Sequence, residues 1–413
     1  MAEGNNTGFA GRVAFTYPDF VRYQLSRLCV IMALEMVAVA IGWQVYEITR
    51  RPLDLGLVGL TLFLPGFFLF LVTGHAVDRF NRRNLLVLCQ CGFVLCSTLL
   101  LLISLRGLKS VHAIYMVTGL LGVVRAFNGP TGQALLPTLV ALEHYPNAVA
   151  WSATVFQLAT IMGPMMGGLI YSFSHGPAAV YAMSIVMAAT AAVCSLQIRP
   201  APPRPREPVS LETILAGLRY VWAKKVILGS ISLDLFAMFF GGAVALLPVF
   251  SREILHTGPL GLGILRSGPG LGAATMALIV AHRPLRGKAG ATMLWWVAAF
   301  GAFTVVFGLS RNIVLSLAAL FMVGAADMVS VIIRNTLVQL TTPDAMRGRV
   351  SAVNMLFIGA SNELGQFESG ITAQWWGVVP AVVVGGAGAI VVVCLWAWLL
   401  PELRRADHPN VET

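Results

Sequence analysis

Residues 74–105 read GHAVDRFNRRNLLVLCQCGFVLCSTLLLLISL, a charged segment followed by an almost wholly apolar run. At about 1.5 Å rise per residue, the part from 84 to 105 is long enough to cross a hydrocarbon core about 30 Å thick. Of all 413 residues, 57% are hydrophobic and only 11% are charged, whereas soluble domains carry about 25% charged residues. We therefore predict an all-α integral membrane protein with twelve transmembrane helices, at residues 20–49, 55–76, 84–105, 111–131, 147–171, 178–198, 226–250, 258–281, 289–309, 312–335, 350–373 and 379–400.

Basic residues predict the orientation of these spans. Most of the 28 Lys and Arg residues fall on the cytoplasmic side if both termini are cytoplasmic, as the positive-inside rule requires. The net charge of +10 is thus explained by topology, and we expect no nucleic-acid partner. The polar start and the long first apolar stretch argue against a cleaved signal peptide, so we expect a multi-pass protein of the bacterial inner-membrane type.

A Pro- and Arg-rich break between residues 199 and 225 divides the sequence. We predict an N-terminal six-helix bundle at 1–198, a cytoplasmic linker at 199–225 and a C-terminal six-helix bundle at 226–413. Apolar residues at helical spacing predict a short amphipathic helix in the linker; a simple tether is the alternative role. A weak repeat relates Asn147-Ala-Val-Ala-Trp-Ser-Ala to Arg347-Gly-Arg-Val-Ser-Ala, and such half-length repeats indicate two pseudo-symmetric bundles.

The segment between spans two and three carries the pattern Gly74-x-x-x-Asp78-Arg79-x-x-Arg82-Arg83. It resembles the major facilitator superfamily, whose loop between helices two and three has this pattern. The resemblance implies the major facilitator fold and a role for Asp78 in holding a cytoplasmic gate shut. A positive-inside anchor is the alternative and accounts for the arginines, but not for an acid among them. The matching loop of the second half, 281–288, is basic without an acid.

Spans four and five carry two further patterns of that superfamily. Span five contains Gly163-Pro164-Met-Met-Gly167-Gly168, which resembles the helix-five pattern of exporters that work by antiport; packing of small residues is the alternative. Arg125 in span four resembles an arginine linked to proton coupling, although its side chain is also close enough to the interface to reach it.

Ionisable residues inside a membrane are costly and are functional candidates by default. The acids are Glu35, Asp234, Asp327, Glu363 and Glu368, and the bases are Arg125, Arg266 and Arg334. This excess of acids favours a site for protons or a cationic lipophile. Glu35 ranks first because it lies midway along span one, and a static hydrogen bond to a neighbouring helix is its alternative. Asp327 and Arg334 are too far apart on one helix to pair, so each is expected to contact another helix, and Glu363 and Gln366 share one face.

Segments such as 133–137, 334–340, 346–352 and 357–365 resemble the enterobactin-exporter branch of drug and siderophore efflux proteins. We therefore expect a monomeric transporter that exports a lipophilic or amphipathic small molecule by alternating access. Protons would drive it, with no cofactor and no metal. The alternatives are a proton-independent uniporter or a lysophospholipid or lipid translocator. An enzyme is disfavoured because the metal-binding patterns of lipid transferases and intramembrane proteases are lacking from the sequence.

Overall fold

The computed structural model describes residues 12–107, 110–199, 211–283 and 287–405. Within these ranges all regular structure is helical, and every span predicted above overlaps a helix. Eleven helical segments of the described chain have the length and hydropathy to cross a membrane. The remaining long helix, Asp344–Trp376, is less apolar because it includes charged residues such as Arg349 and Glu363. The predicted twelve-helix membrane fold is confirmed.

The contacts divide the chain into two compact units. The first contains the described residues of 12–41 and 64–199, and the second contains Gly42–Phe63 and the described residues from 211 onwards. The domain borders at 198 and 226 stay a prediction, and residues 200–210 of the predicted linker lie outside the described ranges.

The first unit is built from α1 to α6. These helices are α1 Pro18–Thr49 and α2 Pro52–Arg79, each in part, followed by α3 Arg82–Leu105, α4 Val111–Leu135, α5 Tyr145–Ser174 and α6 Ala178–Leu196. Polar side chains join them where lipid offers no partner: Gln90 of α3 donates to Ser26 of α1 at 2.7 Å and to Ser195 of α6 at 2.9 Å. A buried polar group without a hydrogen bond is costly, so these bonds stabilise the contact of α1, α3 and α6 at one buried point.

Further helices lie in the described part of the second unit. These are α7 Leu211–Ala223, α8 Lys225–Phe240, α9 Gly258–His282, α10 Ala289–Leu309, α11 Ile313–Thr341, α12 Asp344–Trp376, α13 Val378–Leu399 and the short α14 Pro401–Arg405. Its apolar core includes Leu233 of α8, Val297 of α10 and Ile333 of α11. The sequence repeat also has a structural counterpart, since Asn147 and Arg347 both lie in the first turn of their helices, α5 and α12.

Span seven is not the continuous helix that its apolar run predicts. The helix α8 ends at Phe240, and the chain continues through short helical pieces to Ile254. The break falls at Gly241 and Gly242, where a Cβ at Gly242 would lie 2.4 Å from the carbonyl oxygen of Gly365 in α12. The two backbones approach too closely for any larger residue, and tandem glycines are a common cause of such interruptions.

The predicted amphipathic helix is present as α7, and it packs within the second unit. A Cβ at Gly217 would lie 2.7 Å from the carbonyl oxygen of Arg349, and Val221 is buried with Val350 and Val353. Trp222 on another face remains 66% exposed. The helix therefore has a protein-facing side as well as an apolar exposed side.

The segment Gly42–Phe63 is held to the rest of the second unit by charge and by backbone contact. Arg50 pairs with Glu253 at 2.8 Å, but both side chains are about half exposed, and such pairs contribute about 0–1 kcal/mol. The backbones of α2 and α12 pack more closely, since a Cβ at Gly370 would lie 2.9 Å from the Cα of Gly56. We infer that the glycine contact contributes more to this attachment than the ion pair.

Glycines also set the contact between α9 and α11. A Cβ at Gly324 would lie 1.9 Å from the carbonyl oxygen of Pro269, and one at Gly272 would lie 1.8 Å from that of Phe321. Without a hydrophobic driving force between helices in lipid, close backbone approach and van der Waals packing supply the association. These reciprocal contacts make the pair intolerant of even one methyl group.

We predict that Gly324→Ala destabilises the protein by about 1–3 kcal/mol, the usual range for overpacking. Thermal unfolding of the purified protein in detergent measures this as a lower apparent Tm. The matched control is Gly359→Ala in α12, where an added Cβ meets nothing within 4 Å and alanine is the better helix former. An equal Tm for Gly324→Ala and Gly359→Ala would contradict the role of this contact.

Candidate functional site

A cavity of about 350 Å³ lies within the first unit, among α1, α3, α4 and α5. Arg27 of α1 and Arg125 of α4 both line it, together with Gln90 and Asn128. The guanidinium carbon of Arg27 lies 6.0 Å from the centre of the Phe156 ring, within the range of a cation–π contact. The cavity therefore combines cationic, amide and aromatic groups.

The structure places Arg125 on the cavity wall, and its link to proton coupling stays a prediction. Sequence reasoning missed Arg27, Gln90 and Asn128. Arg27 lies in the third turn of α1, close enough to the helix start to be taken for an interfacial residue. Its spacing from Ile31 and Leu34, which also line the cavity, was the available signal, since residues three and four apart share a helix face.

Glu35 is half-buried in α1 and packs against the exporter-type segment of α5. A Cβ at Gly163 would lie 2.6 Å from the Cβ of Glu35, and one at Gly167 would lie 2.9 Å from the Cα of Met36. Pro164 and Gly168 are buried in the same stretch. The glycines of the motif thus bring the α5 backbone directly onto the acid-bearing turn of α1.

The first turn of α3 has a structural role that its sequence did not reveal. Arg82 is buried and donates to the carbonyl oxygen of Ala134, near the end of α4, at 3.3 Å. Arg83 donates to the carbonyl oxygen of Leu196, the last residue of α6. Carbonyls at helix C-termini lack intrahelical donors, and cations there are favourable. These two arginines therefore tie α3 to the ends of two other helices.

The other two charged members of the motif are placed differently. Asp78 lies half-buried in the last turn of α2, and Arg79 beside it is exposed. Gly74 lies one turn earlier on the same helix. The gating role of Asp78 stays a prediction.

In the second unit, Arg334 of α11 forms a buried ion pair with Asp234 of α8. The expectation that Arg334 contacts another helix is confirmed, and the same pair brings together two predicted site residues. Asp327 is half-buried two turns earlier on α11, and its expected contact with another helix stays a prediction.

Glu363 and Gln366 share one face of α12, as their spacing predicts. The amide nitrogen of Gln366 donates to the Glu363 carboxylate at 3.1 Å. This face meets α2, since a Cβ at Gly59 would lie 3.3 Å from the Cβ of Gln366 and 3.5 Å from Oε2 of Glu363. Because Gly59 has no side chain, the Glu363 carboxylate can pack directly against α2.

Two compact units of long apolar helices, with ionisable groups placed deep along them, define a membrane transporter. The chain belongs to the major facilitator superfamily, in the family described as transmembrane secretion effectors, whose model matches residues 25–412. It is 29% identical over 413 residues to the enterobactin exporter EntS of Citrobacter koseri, covering 95% of this chain and 94% of that relative. The predicted resemblance to the enterobactin-exporter branch is confirmed.

Solved structures agree on the fold. The POT family transporter PepTSo matches with a TM-score of 0.73 and 11% identity, over 95% of this chain and 99% of its own. A bacterial homologue of the human lysosomal transporter Spinster matches with a TM-score of 0.68 and 14% identity, over 97% of each chain. At these identities the likeness concerns the fold alone.

We predict that the Arg334–Asp234 pair is energetically coupled. Either Arg334→Leu or Asp234→Leu leaves one buried charge uncompensated, which costs about 3–5 kcal/mol. The double variant removes both charges and is expected to lose much less than the sum of the two single losses. Unfolding of the four purified proteins in detergent measures the coupling, and additive losses would show that the pair contributes nothing as a pair.

We also predict that replacing Arg82 lowers stability, whereas replacing Asp78 slows solute flux with little effect on stability. Arg82→Gln loses a charge-assisted bond to the end of α4 and should lower the free energy of unfolding by about 1–3 kcal/mol. Asp78→Asn keeps the side-chain shape and should change stability by less than about 0.5 kcal/mol while slowing solute flux. Arg79→Gln, at an exposed position, is the matched control for loss of charge. The opposite ranking of stability effects would contradict this division.

Proposed function

We propose that the protein is a proton-coupled exporter that moves a lipophilic or amphipathic small molecule, such as a siderophore, by alternating access. One observation supports the coupling most directly: Glu35, an acid far from either end of α1, lies against Gly163 of the exporter-type segment. An intramembrane carboxyl group changes its charge when it gains or loses a proton, and its burial then decides which form is favoured. A change in the α1–α5 contact would therefore change the surroundings of the Glu35 carboxyl group.

Several further features support export. The exporter EntS matches this chain over nearly its whole length, and Gly163 and Gly167 of the antiporter-like segment contact α1 directly. The membrane potential is worth about 2.3 kcal/mol per charge per 100 mV. At 100 mV, one proton per cycle would thus sustain about a 50-fold concentration gradient of a neutral solute. This is sufficient to export a solute that is already more concentrated outside the cell.

The role of Glu35 is tested in proteoliposomes with an imposed proton gradient. We expect Glu35→Gln to abolish solute-induced proton movement, because glutamine cannot exchange a proton, while the protein remains folded. Glu143→Gln, whose carboxylate side chain is 76% exposed in the α4–α5 loop, makes the same change of charge and should keep full coupling. Equal coupling in Glu35→Gln and the parent would remove Glu35 from the mechanism.

The same assay separates coupled export from its alternatives. Solute flux that persists unchanged in the presence of an uncoupler would identify a uniporter or a lipid translocator. Flux that collapses with the proton gradient supports antiport.

A further inference from the structure

Another cavity of the first unit, with a volume of about 400 Å³, lies between α3 and α4 near the loop that joins them. The α3 side is formed by Leu99, Leu102, Ile103 and Arg106, and the α4 side by four residues with the same spacing within 113–120. Residues at i, i+3, i+4 and i+7 share one face of a helix. Two such faces side by side make a groove that follows the helix axes for about 10 Å.

The walls of this groove are apolar except at the end nearest the loop. Every described wall residue other than Arg106 has an aliphatic or thioether side chain. Met116, on the α4 side, is exposed, and so are Leu88, Leu95 and Leu102, which recur every seven residues along α3. Exposed apolar side chains on a membrane-spanning helix face the acyl chains of the bilayer. The groove is therefore open to lipid.

The length of the groove suits part of one acyl chain. Beyond its inner end the two helices touch, since a Cβ at Gly92 would lie 2.7 Å from Cγ2 of Val124. Gly92 is seven residues, or about 10 Å, further along α3 than Leu99. One leaflet of the hydrocarbon core is about 15 Å thick, half of the whole. The groove can thus hold about two thirds of an extended chain that enters from the interface.

Arg106 provides a positive charge at the interface end of the groove. It directly follows the last residue of α3, and its side chain is exposed. None of the ion pairs in the described chain involves its guanidinium group. The sequence has no Asp or Glu between Asp78 and Glu143, so neither α3 nor α4 has an acid to neutralise it. A guanidinium group is well matched by an anionic oxygen, to which it donates short, strong hydrogen bonds.

We propose that this groove binds one anionic phospholipid, with an acyl chain along the apolar walls and the headgroup phosphate at Arg106. A free phosphate ion would leave the apolar walls unused, and a neutral lipid would leave the arginine without a counter-charge. The lipid is a resident ligand of the first unit and is distinct from the exported solute. The proposal therefore stands or falls independently of proton-coupled export.

Native mass spectrometry of the purified full-length protein, released from detergent, tests the proposal by identifying bound lipids from their mass. The protein is first equilibrated with equimolar palmitoyl-oleoyl phosphatidylglycerol and phosphatidylcholine, which share their acyl chains and differ in net charge. We expect the first retained lipid to be phosphatidylglycerol about fivefold more often, the factor that one cation contributes near anionic lipid. Equal retention of the two lipids would overturn the anionic headgroup.

The headgroup end is assigned with Arg106→Gln, which should remove most of the fivefold preference. Arg283→Gln is the matched control, because Arg283 also directly follows a membrane-spanning helix, α9, and is also exposed. This control should keep the full preference. A preference that is unchanged in Arg106→Gln would overturn the placement of the phosphate.

The acyl-chain end is assigned with Ala113→Phe, which fills the groove and leaves its charge unchanged. This variant should retain less phosphatidylglycerol than the parent. Ala189→Phe makes the same change at an exposed position of α6 and should retain as much as the parent. Equal retention by Ala113→Phe and Ala189→Phe would place the chain elsewhere and overturn the proposal.

Thermal unfolding in detergent separates a lipid from a soluble phosphate. A ligand of the folded state raises the apparent Tm, so phosphatidylglycerol should raise that of the parent more than that of Arg106→Gln. Glycerol phosphate, which has the charged group without acyl chains, should raise neither at the same concentration. An equal rise with glycerol phosphate would identify a soluble-phosphate site and overturn the lipid assignment.

Discussion

Close contact between helix backbones is the constraint on which this structure depends. In lipid, apolar side chains gain little by leaving the solvent for a neighbouring helix, so packing relies on shape and on the few polar bonds available. Glycine supplies the shape at Gly324 against Pro269, at Gly242 against Gly365 and at Gly163 against Glu35. In the last case the same contact brings a titratable group to a helix interface.

The arginines show how one residue type takes three roles in such a protein. Arg334 is buried with an acid and is neutralised within the second unit. Arg82 meets the partial negative charge of a helix end, an interaction that depends on backbone geometry and needs no acid at all. Arg27 has an aromatic ring beside it and a cavity before it. Because burying an uncompensated cation is expensive, these differences in environment distinguish the arginines that are paired within the fold from the one that lines a cavity.

The sequence predicted the twelve spans because the physical signal, a long apolar run, is local. It could not predict the interruption of span seven, since the Gly241–Gly242 pair becomes a break through its contact with a helix more than 100 residues later. Motif spacing correctly placed Glu363 with Gln366 and correctly excluded an Asp327–Arg334 pair. The partner of Arg334, however, is Asp234 on α8, and the periodicity of α11 could not predict which residue of another helix it contacts.

The cavity was the least predictable part, because its wall combines side chains from four helices. Residue types alone favoured an acidic site, and the acids are indeed numerous in the spans. The described wall of the cavity nevertheless carries arginines and amides, since which face of each helix turns inward depends on packing. A count of intramembrane charges therefore describes the membrane domain as a whole and does not describe any one site within it.

The two serines that hold Gln90 have a consequence for conformational entropy. A glutamine side chain in a fluid environment samples many rotamers, and immobilising such a long side chain costs about 1.5–2 kcal/mol. Here the bonds to Ser26 and Ser195 meet that cost when the helices assemble. The Gln90 side chain is consequently held in one orientation at the point where α1, α3 and α6 meet, and no rotamer of this residue is left to freeze when these helices move as a group.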